Sequence, residues 1–144
     1  MRIAAVLSCL APVIMHAQEG RPVVIRPDSL HFADVRNVPG AQSMNLLGPT
    51  IANGVYASRV KLTAGGRILH HRHPDARWTQ VFSGVLYVGF GTTFDDTKTV
   101  AVHPGEIYVA PAGQAHFLSA RDGEVIYQES GTNPTGITFV TGTP

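Results

Sequence analysis

Apolar and polar residues alternate along most of the chain beyond residue 54. The stretch 55–63 shows this most clearly, because the charged side chains of Arg59 and Lys61 alternate with the apolar side chains of Val60 and Leu62. A period of two residues is typical of a strand that buries one of its faces. Further short strands are predicted at 78–83, 85–90, 99–103, 106–110, 115–119, 124–129 and 137–141.

Turn-forming residues separate these segments. They are Ser83–Gly84, Gly91–Thr92, Pro104–Gly105, Pro111–Gly113 and Asp122–Gly123. Short strands with glycine and proline turns predict an all-β sandwich or barrel, and 144 residues suit a single domain. The stretch 18–50 is less regular. We expect its apolar pieces at 23–25 and 44–47 to pair at a sheet edge or with a second subunit, as in a homodimer.

Two motifs in the middle of the chain contain three histidines. The first is Gly65-x5-His71-x-His73, followed by Gly84, and the second is Gly105-x5-Pro111-x-Gly113-x2-His116. Residues two apart on a strand point to the same face, so His71 and His73 can bind one ion if the strand extends that far. A further strand after the proline turn would bring His116 across a small barrel. Three neutral imidazoles suit Zn, Fe, Cu or Ni and leave positions open for water or substrate.

The two motifs resemble those of the cupins, a family of small double-stranded β-helix (jelly-roll) barrels. The family motifs are usually written G-x5-H-x-H-x3 or 4-E-x6-G and G-x5-P-x-G-x2-H-x3-N. The resemblance implies this all-β fold for roughly residues 25–140, in one cupin domain at 18–144 with its core motifs at about 55–131. It implies His71, His73 and His116 as ligands of a divalent transition metal, whether Fe, Zn, Mn, Cu or Ni. Some cupins lack a metal, so a metal-free barrel is the alternative.

The sequence departs from the family pattern at two positions. Arg77 stands where the family has a ligand glutamate, and Ala120 stands where it often has asparagine. A guanidinium has no lone pair for a cation. The chain therefore resembles the three-histidine cupins, which include some thiol and diketone dioxygenases. Asp75, which follows Pro74, is a candidate replacement ligand.

Arg77 has two interpretations. It could hold an anionic substrate through a bidentate carboxylate contact. Alternatively, it could pair with Asp75 or Glu129 at the rim of the barrel and contribute little, which is the interpretation we favour. Glu129 is also a candidate base.

Tyr87 and Tyr127 are candidate bases on the same footing as Glu129, because any of the three could project into a barrel. His70 should face away from His71 because of strand alternation. His31 and His103 are assigned no role, since a single histidine on a strand is usually a surface or hydrogen-bonded residue. Metal affinity should fall below about pH 6.5 if the imidazoles have ordinary pKa values.

The first seventeen residues differ from the rest. Arg2 precedes an apolar run over 3–14, and His16-Ala17 precedes a polar stretch from Gln18. This pattern predicts a signal peptide at 1–17, too short for a membrane span, and export to the periplasm or outside the cell. A buried N-terminal strand or helix is the alternative. Cleavage would also remove Cys9, the one cysteine of the sequence, and with it any thiol nucleophile.

The charge balance narrows the choice of partner. The formal net charge is +1, and loss of Arg2 would leave ten basic and ten acidic side chains. No nucleic-acid partner is expected, because a basic patch would be required, and no membrane partner is expected after cleavage.

Three classes of function are compatible with the sequence. The leading hypothesis is an exported metal-dependent enzyme acting on a small organic molecule, with an oxygenase as first guess and isomerases and lyases as alternatives. The second is a non-catalytic protein that binds a small ligand or a metal. The third is a structural or interaction protein, which would have a packed barrel and a large apolar outer patch.

Overall fold

The computed structural model describes residues 22–48 and 53–140, and this part of the chain is built from strands. The first six strands are β1 (Ala33–Asp34), β2 (Ala41–Leu47), β3 (Gly54–Leu62), β4 (Arg67–Arg72), β5 (Arg77–Ser83) and β6 (Leu86–Phe90). The remaining five are β7 (Thr99–Val102), β8 (Ile107–Ala110), β9 (His116–Ser119), β10 (Val125–Asn133) and β11 (Thr138–Phe139). Within the described ranges the helical segments are two single 3₁₀ turns, at Pro27–Ser29 and Asp96–Lys98. The prediction of an all-β fold is confirmed.

The strands form two sheets. The six-stranded sheet has the order β1-β2-β3-β10-β5-β8, and the five-stranded sheet has the order β11-β4-β9-β6-β7. Every described strand pair is antiparallel, for example Glu129 in β10 opposite Thr79 in β5. Chain neighbours such as β4 and β5 lie in different sheets, so the two histidine motifs are brought together by crossing connections.

The core lies between the sheets and follows from the alternation in the sequence. Leu62 of β3 and Val125 of β10 are fully buried cross-strand partners, and Leu86 and Leu118 are fully buried in the opposite sheet. The charged neighbour Lys61 points outward and contacts the ring of Phe32. Period-two strands thus bury one face of each sheet against the other.

Two motif glycines are required by the backbone. Gly84 links β5 to β6 with φ +73°, and an added Cβ would lie 2.2 Å from the carbonyl oxygen of Glu124. Gly113 also has φ +73° and ends the turn before β9. Positive φ is unfavourable for residues with a side chain, which explains why glycine stands at these turns.

The structure refines several strand limits. β10 runs to Asn133 rather than residue 129, and β11 contains two residues. The apolar piece 44–47 belongs to β2, which pairs with β3 and covers more of the irregular stretch than expected. The piece 23–25 lies outside the described strands and is exposed. The predicted leader at 1–17 lies outside the described residues. The described residues include no helix long and apolar enough to span a membrane.

Candidate metal centre

The three motif histidines meet at one point of the barrel interior. His71 in β4 is the cross-strand partner of His116, the first residue of β9. His73 lies one residue beyond the end of β4. All three are buried, and one possible ligand atom from each lies within 4.8 Å of the other two. The structure therefore brings together the three residues that the motifs singled out.

Strand alternation is interrupted just before the site. The pairing of β4 with β9 shifts register between Ile68 and His71, so these two residues are both buried although they are three apart. His70 is half-buried and does not belong to the cluster. A bulge lets a strand re-aim one side chain toward a site, and here that side chain is His71.

Each imidazole is held by a backbone carbonyl on its outer side. Nδ1 of His71 lies 2.7 Å from the carbonyl oxygen of Leu69, Nδ1 of His73 lies 2.5 Å from that of Gly136, and Nδ1 of His116 lies 3.1 Å from that of Gln114. A carbonyl oxygen can only accept a hydrogen bond, so Nδ1 carries the proton in each ring.

Protonation at Nδ1 leaves the Nε2 lone pairs available. The Nε2 atoms of His73 and His116 are buried and have no hydrogen-bond partner among the described residues. Imidazoles that ligate metals are commonly oriented by a carbonyl on the other ring nitrogen. Two buried nitrogens without partners, in a cluster of three neutral donors, fit a transition metal.

Burial keeps the imidazoles neutral. It lowers the pKa of His71 to about 3, with neighbouring His116 acting in the same direction. It also lowers the pKa of His73 to about 3, with Arg77 contributing, and it lowers the pKa of His116. The expectation of ordinary pKa values is therefore corrected: the rings hold their lone pairs free well below pH 6.5, because a charged imidazole would be desolvated.

A cavity of about 280 Å³ opens beside the cluster. His71 and His73 contribute to its wall together with Arg77, Tyr127 and Glu129. The rest of the wall is mainly apolar or weakly polar: Val35, Val38, Ala41, Ser43, Asn45, Tyr56, Ser58, Val60, Ile68, Thr135, Gly136 and Ile137. The barrel interior is thus not filled by side chains on this side of the histidines.

Arg77 lies inside the barrel, not at its rim. Its Nη1 donates to Oε2 of Glu129 over 2.9 Å, and its Nη2 donates to Oδ1 of Asp75 over 2.8 Å and to Oγ1 of Thr135 over 2.6 Å. The Arg77 side chain is 4% exposed. The two predicted ion pairs are present, but the burial of Arg77 corrects the expectation that they lie at the rim.

Both carboxylate oxygens of Asp75 accept hydrogen bonds, and neither belongs to the histidine cluster. It accepts hydrogen bonds from Tyr56 over 2.7 Å and from Thr135 over 2.6 Å, as well as from Arg77. Burial would raise the pKa of Asp75, but the hydrogen bonds from Thr135 and Tyr56, together with Arg77, bring it below its usual range. The histidine cluster that could hold a metal does not include this carboxylate.

The structure places two of the three candidate bases at the cavity and the third away from it. Glu129 and Tyr127 line the cavity, whereas Tyr87 lies away from it and donates to the carboxylate of Asp122. The Tyr127 hydroxyl is buried and has no partner among the described residues. His31 and His103 are exposed and remain outside the site.

Thr135 and Gly136 are site residues that the sequence did not reveal. They follow β10 and supply one hydroxyl and one carbonyl oxygen. A carbonyl contact carries no signal in residue type, and both contacts span about sixty positions of the chain. The Pro134–Gly136 stretch, which follows the predicted strand at 124–129, was the one available hint.

The family model described as Cupin matches residues 31–143. Germin-like protein 5-1 of Oryza sativa subsp. japonica is 33% identical over 92 residues, which cover 60% of this chain and 40% of that protein. Germin-like protein subfamily 2 member 4 of Arabidopsis thaliana is 31% identical over 134 residues, which cover 87% of this chain and 58% of that protein. The chain thus spans less than two thirds of the length of either relative.

Solved structures show the same fold. The polyketide cyclase RemF from Streptomyces resistomycificus superposes with a TM-score of 0.72 at 16% identity, over 85% of this chain and 88% of that chain. A recombinant oxalate oxidase in complex with glycolate gives a TM-score of 0.56 at 27% identity, over 74% of this chain and 59% of that chain. The protein belongs to the cupin family, and its two sheets form the predicted jelly-roll barrel.

Proposed function

We propose that this protein is a metal-dependent cupin enzyme that acts on a small organic molecule, with His71, His73 and His116 as the metal ligands. The observation that carries the proposal is the convergence of three imidazoles whose Nδ1 atoms are bonded to carbonyls, beside a cavity of about 280 Å³. A divalent metal held there would act as a Lewis acid and could activate dioxygen. An oxygenase-like reaction is the first candidate, supported by the likeness to three-histidine cupins.

The chain's own residues would prepare the site for a ligand. The carbonyls of Leu69, Gly136 and Gln114 hold the three rings in position, so little reordering would accompany binding of the ion. The cavity wall would exclude water from one side of the ion. Glu129, which lines the cavity, would accept a proton from a bound molecule.

A non-catalytic protein that captures a small ligand or a metal is the second candidate. Replacement of the family's ligand glutamate by Arg77 supports it, because fewer ligand atoms are then available to the ion. A binding protein would hold its small ligand or metal without turnover, so the two candidates differ in product formation.

Metal analysis and an oxygen assay test the proposal. Protein purified without chelator should contain close to one equivalent of Fe, Zn, Mn, Cu or Ni. Protein reconstituted with each metal should then be assayed for dioxygen uptake with a panel of small organic molecules. Metal without turnover would favour the binding protein, and absence of metal after reconstitution would refute the metal-dependent enzyme and leave a protein that binds a small ligand.

Export and self-association complete the proposal. The composition of 1–17 supports cleavage near Gln18 and a periplasmic or secreted protein.

Association into a homodimer is supported by Trp78, Ile107 and Val109, which are 47%, 55% and 62% exposed on the adjacent strands β5 and β8. A second copy would cover this apolar surface.

A further inference from the structure

The cavity beside the histidines contains one strongly cationic side chain among the described lining residues, that of Arg77. Its guanidinium already donates to the carboxylates of Glu129 and Asp75 and to the hydroxyl of Thr135. Two carboxylates face one guanidinium, so this largely buried group of charges carries a formal net charge of −1. An anion that enters the cavity would approach a guanidinium whose positive charge is already exceeded by the negative charge of the two carboxylates beside it.

The geometry of Arg77 also removes its usual mode of anion recognition. A bidentate contact needs two parallel N–H donors of one guanidinium, either on Nη1 and Nη2 or on Nε and Nη2. Both pairs include Nη2, whose two N–H groups already donate to Asp75 and Thr135. Nε of Arg77 is buried and has no partner among the described residues. The N–H of Nε and the second N–H of Nη1 are not a parallel pair, and a single N–H can serve an uncharged oxygen as well as a charged one.

Tyr127 offers a donor that suits an uncharged ligand. Its side chain is fully buried and lines the cavity, and its hydroxyl has no partner among the described residues. Buried hydroxyls without a partner are uncommon in proteins. Burial raises the pKa of Tyr127 well above its ordinary value, so the hydroxyl remains protonated. A carbonyl or hydroxyl oxygen of a ligand would accept its hydrogen.

The rest of the wall accommodates an apolar body. Its apolar members come from both sheets and from the segments around them: Val35, Val38, Ala41, Val60, Ile68 and Ile137. An apolar wall with a few polar groups is the usual composition of a small-molecule site.

We propose that the cavity binds an uncharged small molecule with an apolar body and a carbonyl or hydroxyl oxygen that accepts from Tyr127, and that the Arg77–Glu129 ion pair selects against carboxylates. This proposal rests on the proposed function in that the cavity is the ligand site. It assigns Tyr127 and Glu129 as residues that determine specificity.

Acetophenone and benzoate form a matched pair of probes, because they have similar size and differ in charge. Binding of each is measured by titration calorimetry, both to zinc-loaded protein and to metal-free protein. The metal-free form matters because a divalent ion attracts carboxylates whatever Arg77 does. Acetophenone should bind at least roughly tenfold more tightly than benzoate to metal-free protein, in keeping with exclusion of an anion by a buried negative cluster.

Two substitutions test the roles of Glu129 and Tyr127 separately. Glu129→Gln should tighten benzoate binding by roughly tenfold or more and leave acetophenone almost unchanged, because the net charge of the Arg77, Asp75 and Glu129 group then changes from −1 to 0. Tyr127→Phe should weaken acetophenone roughly 5–10-fold and leave benzoate unchanged. The matched controls are Glu124→Gln, an exposed carboxylate, and Tyr87→Phe, whose hydroxyl lies outside the cavity. Neither control should alter binding of either probe.

The outcomes distinguish this proposal from the proposed function. Benzoate binding as tight as acetophenone binding in metal-free wild-type protein would overturn it, as would failure of both probes to bind at millimolar concentration. Because the wild-type comparison needs no variant, misfolding of Glu129→Gln would not leave the question open. Loss of metal binding with retained preference for acetophenone would refute the metal-dependent function and keep the assigned ligand class.

Discussion

The imidazole of His73 donates from Nδ1 to the carbonyl oxygen of Gly136 across 2.5 Å. The contact connects the residue after β4 to the segment between β10 and β11. That segment also supplies Thr135, which donates to Asp75 and accepts from Arg77. One short stretch after β10 therefore orients a candidate ligand and supports the buried ion pair beside it.

Replacing His73 by Ala should lower affinity for Zn²⁺ by about 100-fold or more, since even loss of a residue that merely supports a ligand costs 10–100-fold. Equilibrium dialysis followed by elemental analysis measures the effect. His70→Ala is the matched control and should change affinity little, because His70 lies outside the cluster. Equal losses in the two variants would contradict the assignment of ligands.

Stability of the metal-free protein should decrease with acid between about pH 6.5 and pH 3. Burial lowers the pKa values of His71 and His73 to about 3 in the folded state, against an ordinary value near 6.5. In this window the unfolded chain binds more protons than the folded chain, so protonation favours unfolding. The contribution is fully present above pH 6.5 and is lost as pH falls toward 3.

Urea denaturation of metal-free protein across this range measures the change. Each histidine should contribute a slope of up to about 1.4 kcal/mol per pH unit. The variant His73→Gln should have a shallower dependence, whereas replacement of exposed His103 by Gln should leave it unchanged. A profile that is flat from pH 6.5 to 4 in the wild-type protein would refute the pKa shifts.

Gly89→Ala should lower the free energy of unfolding by roughly 1–3 kcal/mol, as expected for overpacking of a core. Gly89 in β6 is the cross-strand partner of Phe117, and an added Cβ would lie 2.0 Å from Cζ of that ring. Phe117 is buried against Phe94, with ring centroids 4.6 Å apart, so it has little room to move. Thermal unfolding measures the loss. Gly136→Ala is the control, because its Cβ would meet nothing within 4 Å.

The double variant Trp78→Ser, Val109→Ser should shift a homodimer toward monomer. These side chains are cross-strand partners on β5 and β8 and are 47% and 62% exposed. Size-exclusion chromatography with light scattering gives the mass. Leu69→Ser, which changes another exposed apolar residue on β4, should leave the mass unchanged. A monomeric wild-type protein at micromolar concentration would exclude the homodimer.

The N-terminal sequence of exported protein should begin near Gln18. The basic start and apolar run before Ala17 are typical of a secretory signal. Expression of the full chain, fractionation and Edman sequencing test this, and Arg2→Glu should reduce export. Recovery of intact Met1 in a soluble cytoplasmic fraction would contradict the prediction.

Local rules of the sequence predicted the all-β fold and the meeting of the three histidines. Alternation around Val60 and Leu62 and the turn glycines are properties of adjacent residues, so they can be read without knowledge of tertiary contacts. The bulge before His71 could not be predicted, because it depends on the pairing of β4 with β9.

The surroundings of Arg77 could be predicted only in part from the sequence. Its partners Asp75 and Glu129 could be named from the sequence, because charge complementarity restricts the choice. The burial of Arg77 could not be predicted, because it depends on Thr135 and Tyr56, which approach from distant parts of the chain. The cavity likewise depends on segments from both sheets.

The buried ion pairs also constrain how this sequence can change over evolutionary time. Arg77→Glu alone would restore the family's usual ligand residue, but it would leave that glutamate beside the buried carboxylate of Asp75 and the half-buried carboxylate of Glu129, with their shared cation removed. Several like charges in a buried position are strongly unfavourable. The route from this site to a three-histidine, one-glutamate site therefore passes through earlier substitutions at Asp75 and Glu129, and those intermediates leave Arg77 unpaired. Asp75 and Glu129 consequently constrain position 77 to remain arginine, independently of any metal at the histidines.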